Sequence, residues 1–119
     1  FGMVTRQGWE EQIKLARYKN VFIESGGITW LFNDEFYPFR GAIEAIRQAA
    51  ALVGMEKLMW GSDYPRTITA ITYRMSYDFV LKSNELTPEE KAMFLGKNAE
   101  QFYGFKHLVE LPYIKNMSE

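Results

Sequence analysis

The chain has 119 residues, enough for one domain of ordinary size with a single core. Apolar residues make up 47% of it, aromatics 16%, and the formal net charge is −1, which excludes a disordered chain and gives a polyanion such as nucleic acid no basic face. No apolar run approaches the ~20 residues that cross a bilayer, and the absence of cysteine removes disulfides, thiolate nucleophiles and cysteine zinc sites together. The expectations are therefore a cytoplasmic protein with neither nucleic acid nor membrane as partner.

In chain order, Phe1 to Thr5 reads as a strand end or loop. The chain opens Phe1-Gly2-Met3 rather than on an initiator methionine, so the true N-terminus is expected to be missing and targeting is not legible. Trp9, Ile13 and Ala16 recur near helical spacing, which predicts a helix from Gly8 to Lys19. Val21-Phe22-Ile23, between Asn20 and Ser25-Gly26-Gly27, has the look of a buried strand. The aromatic-rich stretch from Ile28 to Phe39, broken by Asn33-Asp34 and Pro38, predicts a loop with one helical turn.

Gly41 to Val53 is the clearest helix, with Ile43, Ile46, Ala50 and Val53 on one stripe and Gly54 as its C-cap. Leu58-Met59-Trp60 is a second buried strand. Another helix is expected from Ile68 to Leu81. Thr87-Pro88-Glu89-Glu90 carries a capping box for a helix that stops at Gly96, and a short helix from Asn98 to Tyr103 closes at Gly104.

Strands separated by whole helices imply parallel pairing through right-handed crossovers. The fold class is α/β, with about two parallel strands (residues 21–24 and 57–61) and four or five helices. Two parallel strands cannot form a sheet buried on both faces unless others join them. The chain therefore reads as a single partial domain over residues 1–119.

The most informative segment is Gly61-Ser62-Asp63-Tyr64-Pro65, directly after the second strand. In parallel α/β folds, functional side chains stand at the carboxyl ends of strands. Asp63 there can ligate a metal or accept a proton from metal-bound water. It can equally be a turn residue bonded to its own backbone. Glu24 ends the first strand and would share the same mouth, orienting substrate or water, or else pairing with Arg66 or Arg40. Trp30, with the aromatics that follow it, could wall a substrate pocket, sit in the core or form an interface. Arg66 could grip a substrate carboxylate or form a rim salt bridge. His107, the sole histidine, reads as a surface or packing residue before it reads as a base. Ser62 lacks the Gly-x-Ser-x-Gly context of a nucleophile.

These segments resemble the C-terminal part of the amidohydrolase-related family of metal-dependent hydrolases and decarboxylases. The matching residues are the Gly-[Ser/Thr]-Asp-x-Pro pattern at Gly61, Ser62, Asp63 and Pro65, the closing stretch from Leu95 to Gly104, and the strand from Asn20 to Ser25. The resemblance runs to about Phe105 and implies the last quarter to third of a (β/α)8 barrel, a C-terminal fragment carrying strands seven and eight. It implies that Asp63 is a metal ligand or an acid/base beside the metal. The family's His-x-His and mid-barrel His have no counterpart in this sequence. Phe1-Gly2 fits the step that follows a further functional His, which would place that His just before Phe1.

The resemblance implies a parent enzyme with a divalent metal, zinc by preference and manganese as the alternative, acting on small carboxylated or lactone-type substrates. This chain alone is expected to be inactive and to hold no metal. Glu24, Trp30 and Arg66 are the candidate substrate contacts, and a homo-oligomer is expected. The alternative is a non-catalytic α/β module that self-associates or binds a partner through its open sheet edge.

Overall fold

Thr5 starts the first helix: its hydroxyl accepts a hydrogen bond from the Gly8 amide and caps α1 (Arg6–Lys14). The computed structural model describes residues 5–106. Ile13, and Ala16 in the 3-10 turn Leu15–Arg17, carry the buried side of this first segment. The chain then forms β1 (Ile23–Glu24) and turns at Gly26-Gly27 into the one-turn helix α2 (Ile28–Leu31). The long helix α3 (Arg40–Val53) follows and leads to β2 (Leu58–Met59).

Helix α3 buries Ala42, Ile43, Ala45, Ile46 and Ala49, a stripe at three- and four-residue spacing. Ala50 and Val53 flank that stripe, partly buried against the core. Gly54 ends the helix at φ 93°, a conformation that glycine adopts without steric cost. Beneath α3 lie Leu58, Phe79, Val80, Leu86 and Phe94. Phe39 meets Phe79 edge to face, with ring centroids 5.8 Å apart.

The two strands pair in parallel, Ile23 opposite Leu58 and Glu24 opposite Met59. They are shorter than the expected 21–24 and 57–61. The Val21 amide is engaged by the Tyr18 carbonyl in a turn, Met55–Lys57 forms a 3-10 turn, and the Trp60 amide leaves the sheet to bond the Phe94 carbonyl.

That last bond closes one edge of the sheet. The Asn98 side-chain amide, itself buried, donates to the carbonyls of Met55 (2.7 Å) and Leu58 (2.8 Å) along the same edge. The other edge is open. The amides of Ser25 and Gly27 turn toward β2, bonding the Met59 and Gly61 carbonyls. Alternation then turns the backbone groups of Phe22 and Glu24 outward, and no hydrogen bond among the described residues reaches them. At the foot of the strands the Lys57 ammonium donates to the carbonyls of Tyr18, Lys19 and Val21 and lies 4.4 Å from the Phe22 ring centroid. One side chain thus ties the start of β2 to the approach to β1.

Two helices differ from expectation. The helix predicted from Ile68 to Leu81 is two elements, a 3-10 turn (Arg66–Thr69) and α4 (Met75–Lys82). Threonine is the reason. Thr67 and Thr69 hydroxyls donate to the carbonyls of Ser62 and Arg66, and the Thr72 hydroxyl accepts from the Met75 amide, so side chains compete with a continuous helix and restart it.

Conversely, Gly96 does not stop the last helix. The Thr87–Glu90 capping box is present, and α5 (Pro88–Ala92) runs through a π-helical turn (Met93–Lys97) into α6 (Asn98–Tyr103), ending at Gly104 with φ 70°. The widened turn lets both the Phe94 carbonyl and the Asn98 side chain reach β2, so packing overrides the local glycine signal. Counting this run as one body, the described residues hold five helical bodies and two parallel strands, as the α/β reading requires. His107 lies outside the described residues, as do Phe1 and Gly2.

Asp78 in α4 is buried, and its Oδ2 accepts from the Tyr37 hydroxyl at 3.1 Å and the Lys82 ammonium at 2.7 Å. The Lys82 hydrogen bond, helped by the Tyr37 hydroxyl and the charges of Lys82 and Arg74, holds the carboxyl below its ordinary value against the opposing effect of burial. The same bond to Asp78, followed by Tyr37, raises the Lys82 ammonium above its ordinary value.

Asn98→Ala strips the buried Leu58 carbonyl of its donor and leaves the Met55 carbonyl with the Leu58 amide alone, and is expected to cost about 1–3 kcal/mol in urea unfolding. A loss under about 0.5 kcal/mol, the size of a change at an ordinary surface position, would contradict this role. Stability from the Asp78–Lys82 pair is fully present above the ordinary carboxylate pKa and below the ordinary lysine pKa. It is lost as pH falls through the lowered Asp78 value, or as pH rises through the raised Lys82 value. Thermal unfolding followed from neutral pH down to about pH 2 should therefore show an acid loss that Asp78→Asn reduces.

Candidate functional site

Beyond β2 the chain bends at Gly61-Ser62-Asp63-Tyr64-Pro65. The Ser62 hydroxyl accepts from the Tyr64 amide at 3.2 Å, the Asp63 carbonyl accepts from the Thr67 amide at 3.1 Å, and the buried Thr67 hydroxyl donates to the Ser62 carbonyl. Asp63 sits at φ 51°, a left-handed conformation that aspartate tolerates better than most residues. The turn reading is therefore right for the backbone, and Ser62 is spent on the turn.

The Asp63 side chain does something else. Its Oδ2 lies 2.8 Å from where a Cβ on Gly27 would stand, so the carboxylate reaches from the exit of β2 onto the exit of β1. Glu24 does the reverse. Its carboxylate packs against Gly26 and lies so close to Gly61 that a Cβ there would overlap Oε1. Each acid occupies space left by a glycine at the other strand's exit, and the Gly27 amide bonds the Gly61 carbonyl at 3.4 Å between them. Both residues are exposed, and neither carboxylate takes a hydrogen bond or ion pair among the described residues.

Arg66, the first residue of the 3-10 turn, lays its guanidinium carbon 5.0 Å from the centroid of the Trp30 ring. The rim salt bridges considered for Glu24, with Arg66 or Arg40, are not formed among the described residues. The other aromatics of the stretch divide. Phe39 is core, Phe32 packs against the core, Tyr37 bonds Asp78, and Phe36 stands 96% exposed.

A cavity of about 590 Å³ lies between β1 and the helices, walled by Ile13, Ile23, Ile28, Phe32, Ile46 and Leu58. Glu24, Ser25 and Gly26 form its polar rim, whereas Asp63, Trp30 and Arg66 are outside its lining. The apolar cleft and the Asp63 mouth are therefore neighbours that meet at Glu24.

Among the described residues no three His, Cys, Asp or Glu side chains converge as a metal site. A zinc site takes at least three protein ligands, so the Asp63–Glu24 pair does not by itself fit the group. No helix among these residues is long and apolar enough to cross a membrane.

The amidohydrolase family model matches residues 1–105, most of the chain. The chain belongs to the amidohydrolase family. Searches of curated proteins and of solved structures return no match. The amidohydrolase fold is the TIM barrel, and the parallel strands here, each followed by a helix, are consistent with a portion of one. Amidohydrolases generally use divalent metals, and Asp63 and Glu24 both stand at the carboxyl ends of the two parallel strands.

Two features escaped the sequence reading. Asn98 was visible only as part of a closing motif, with no sign that it seals the edge of β2. Gly27 and Gly61 were read as turn formers, and their use as landing places for the side chains of Asp63 and Glu24, each on the other strand's exit, has no local signature.

Gly61→Ala places a methyl group on the Glu24 carboxylate and 3.2 Å from the Gly26 backbone. Because Glu24 is exposed and its carboxylate end can swing aside, the cost should stay below about 1 kcal/mol, and be smaller when Glu24 is also alanine. Equal costs in both backgrounds would show that Glu24 does not occupy that space.

Proposed function

We propose that this chain supplies part of the active mouth of a metal-dependent hydrolase or carbon–carbon lyase of the amidohydrolase family, acting on small carboxylated or lactone-type substrates. The observation that carries the reading is the Asp63 carboxylate. It stands exposed at the exit of a parallel strand and aims across Gly27, with no partner among the described residues. A carboxylate so placed can ligate a cation or hold a proton at Oδ2 for transfer to or from a bound molecule. Glu24, on the opposite side of the same glycine pair, is proposed to orient substrate or water there. Zinc, or manganese in its place, is the proposed cation, with its remaining ligands drawn from outside the described residues. The 119 residues alone are proposed to be inactive.

A second reading is favoured by the open edge of β1, whose outward Phe22 and Glu24 backbone groups are unpartnered among the described residues. Under it the chain is a non-catalytic module that pairs with another copy or another protein, and sedimentation would show a stable dimer with no metal requirement.

The test joins this chain to whatever coding sequence precedes it in its gene and assays lactone hydrolysis and decarboxylation with and without added zinc. Metal-dependent turnover that falls about 10²–10⁴-fold in Asp63→Asn supports the enzyme reading. It is overturned by turnover that Asp63→Asn leaves intact, or by the absence of any His-x-His some ~200 residues before Asp63.

A further inference from the structure

We propose that Arg66, seated on Trp30, is the binding site for the carboxylate of a small monocarboxylic acid with an apolar body. The inference rests on the reading of the Asp63 mouth as a substrate site, and it assigns the residue that would hold the substrate's charged end there.

The base of Arg66 is fixed. It opens a 3-10 turn that Thr67, 2% exposed, locks to the strand exit through its amide on the Asp63 carbonyl and its hydroxyl on the Ser62 carbonyl. The platform is fixed as well. The Trp30 amide bonds the Gly27 carbonyl at 2.8 Å, and Thr29 beside it is buried. The guanidinium carbon lies 5.0 Å from the indole centroid, a cation–π distance that restrains the group while leaving its N–H donors uncommitted. No carboxylate among the described residues lies within ion-pair reach of it.

The placement ties this cation to Asp63. The two residues are three positions apart on one turn, and both side chains land on the segment after β1: Asp63 on Gly27, Arg66 on Trp30. An anion held by Arg66 therefore stands beside the mouth that Asp63 and Glu24 share.

Charge chooses the class of anion. One guanidinium balances one negative charge. Two carboxylates at the same mouth disfavour a dianion such as phosphate more strongly than a monoanion. A carboxylate also matches the guanidinium fork with two parallel hydrogen bonds. The indole supplies an apolar neighbour for the rest of the ligand.

The test titrates the 119-residue chain with sodium benzoate at constant ionic strength and follows the arginine Nε–H cross-peaks by NMR. The Arg66 cross-peak should shift saturably with benzoate and not with benzamide, which has the same ring without the charge. Inorganic phosphate should bind more weakly than benzoate. Arg66→Gln should abolish binding. Arg66→Lys, which keeps the charge and loses the fork, should weaken it at least about tenfold. Equal binding by Arg66→Lys, equal shifts with benzamide, or a response that never saturates would each overturn the proposal.

Asp63→Asn separates this inference from the reading beneath it. The variant should bind benzoate at least as well as the wild type, because a neighbouring negative charge is gone. If benzoate fails to bind while Asp63→Asn still destroys turnover in the longer chain, the subsite is wrong and the proposed function stands. If benzoate binds while Asp63→Asn leaves turnover intact, the reverse holds.

Discussion

The parallel pairing of β1 with β2 is the constraint on which the rest depends. The ladder is only two residues long on each side, yet it sets two exits side by side and gives each exit glycine the other strand's acid. A shift of one residue in this register would exchange inward and outward positions along the slipped strand. Glu24 would then lose its place over Gly61, and Asp63 its place over Gly27. So short a ladder cannot hold itself, because strands in stable sheets are ordinarily longer and more numerous. It is held from outside. Lys57 gathers three carbonyls at the foot of the strands, Asn98 and the Phe94 carbonyl seal the far edge of β2, and α3 covers the apolar face with its alanine and isoleucine stripe.

This division of labour explains where polar groups are buried. Asn98 and Thr67 are buried with partners, in keeping with the cost of an unpaired polar group in a core. Each supports a strand or the turn after it. Asp63, Glu24 and Arg66 are exposed and lack carboxylate–cation pairing among the described residues. The buried polar residues build the frame, and the exposed ones stand at the strand exits and the turn beyond them. The same frame closes one edge of the sheet and leaves the β1 edge bare, as a portion of a larger parallel sheet would.

Much of this was legible from residue order. The spacing of Ile43 and Ile46, Gly54 as a stop, and the Thr87–Glu90 box are local signals, and each corresponds to an observed element. The parallel strands followed from helices between them. What was not legible depends on contacts distant in sequence. The π-helical turn through Gly96 exists because two groups must reach β2, and nothing within the helix announces that need. The break between Thr69 and Met75 was written in the threonines, whose hydroxyls compete with the helix, but the expected helix ran unbroken from Ile68 to Leu81. For the site, Asp63 could be placed at a strand exit from its pentapeptide, whereas the glycine opposite its carboxylate belongs to a different strand and had no mark in the order of residues.

Backbone hydrogen exchange measured by NMR tests the register most directly. The account predicts slow exchange at Ser25, bonded to Met59, and at Trp60, bonded to Phe94, with fast exchange at Phe22 and Glu24, whose amides face outward. Protection of Glu24 with fast exchange at Ser25 would mean that the strands are paired in another register, and the meeting of Asp63 with Gly27 would go with it.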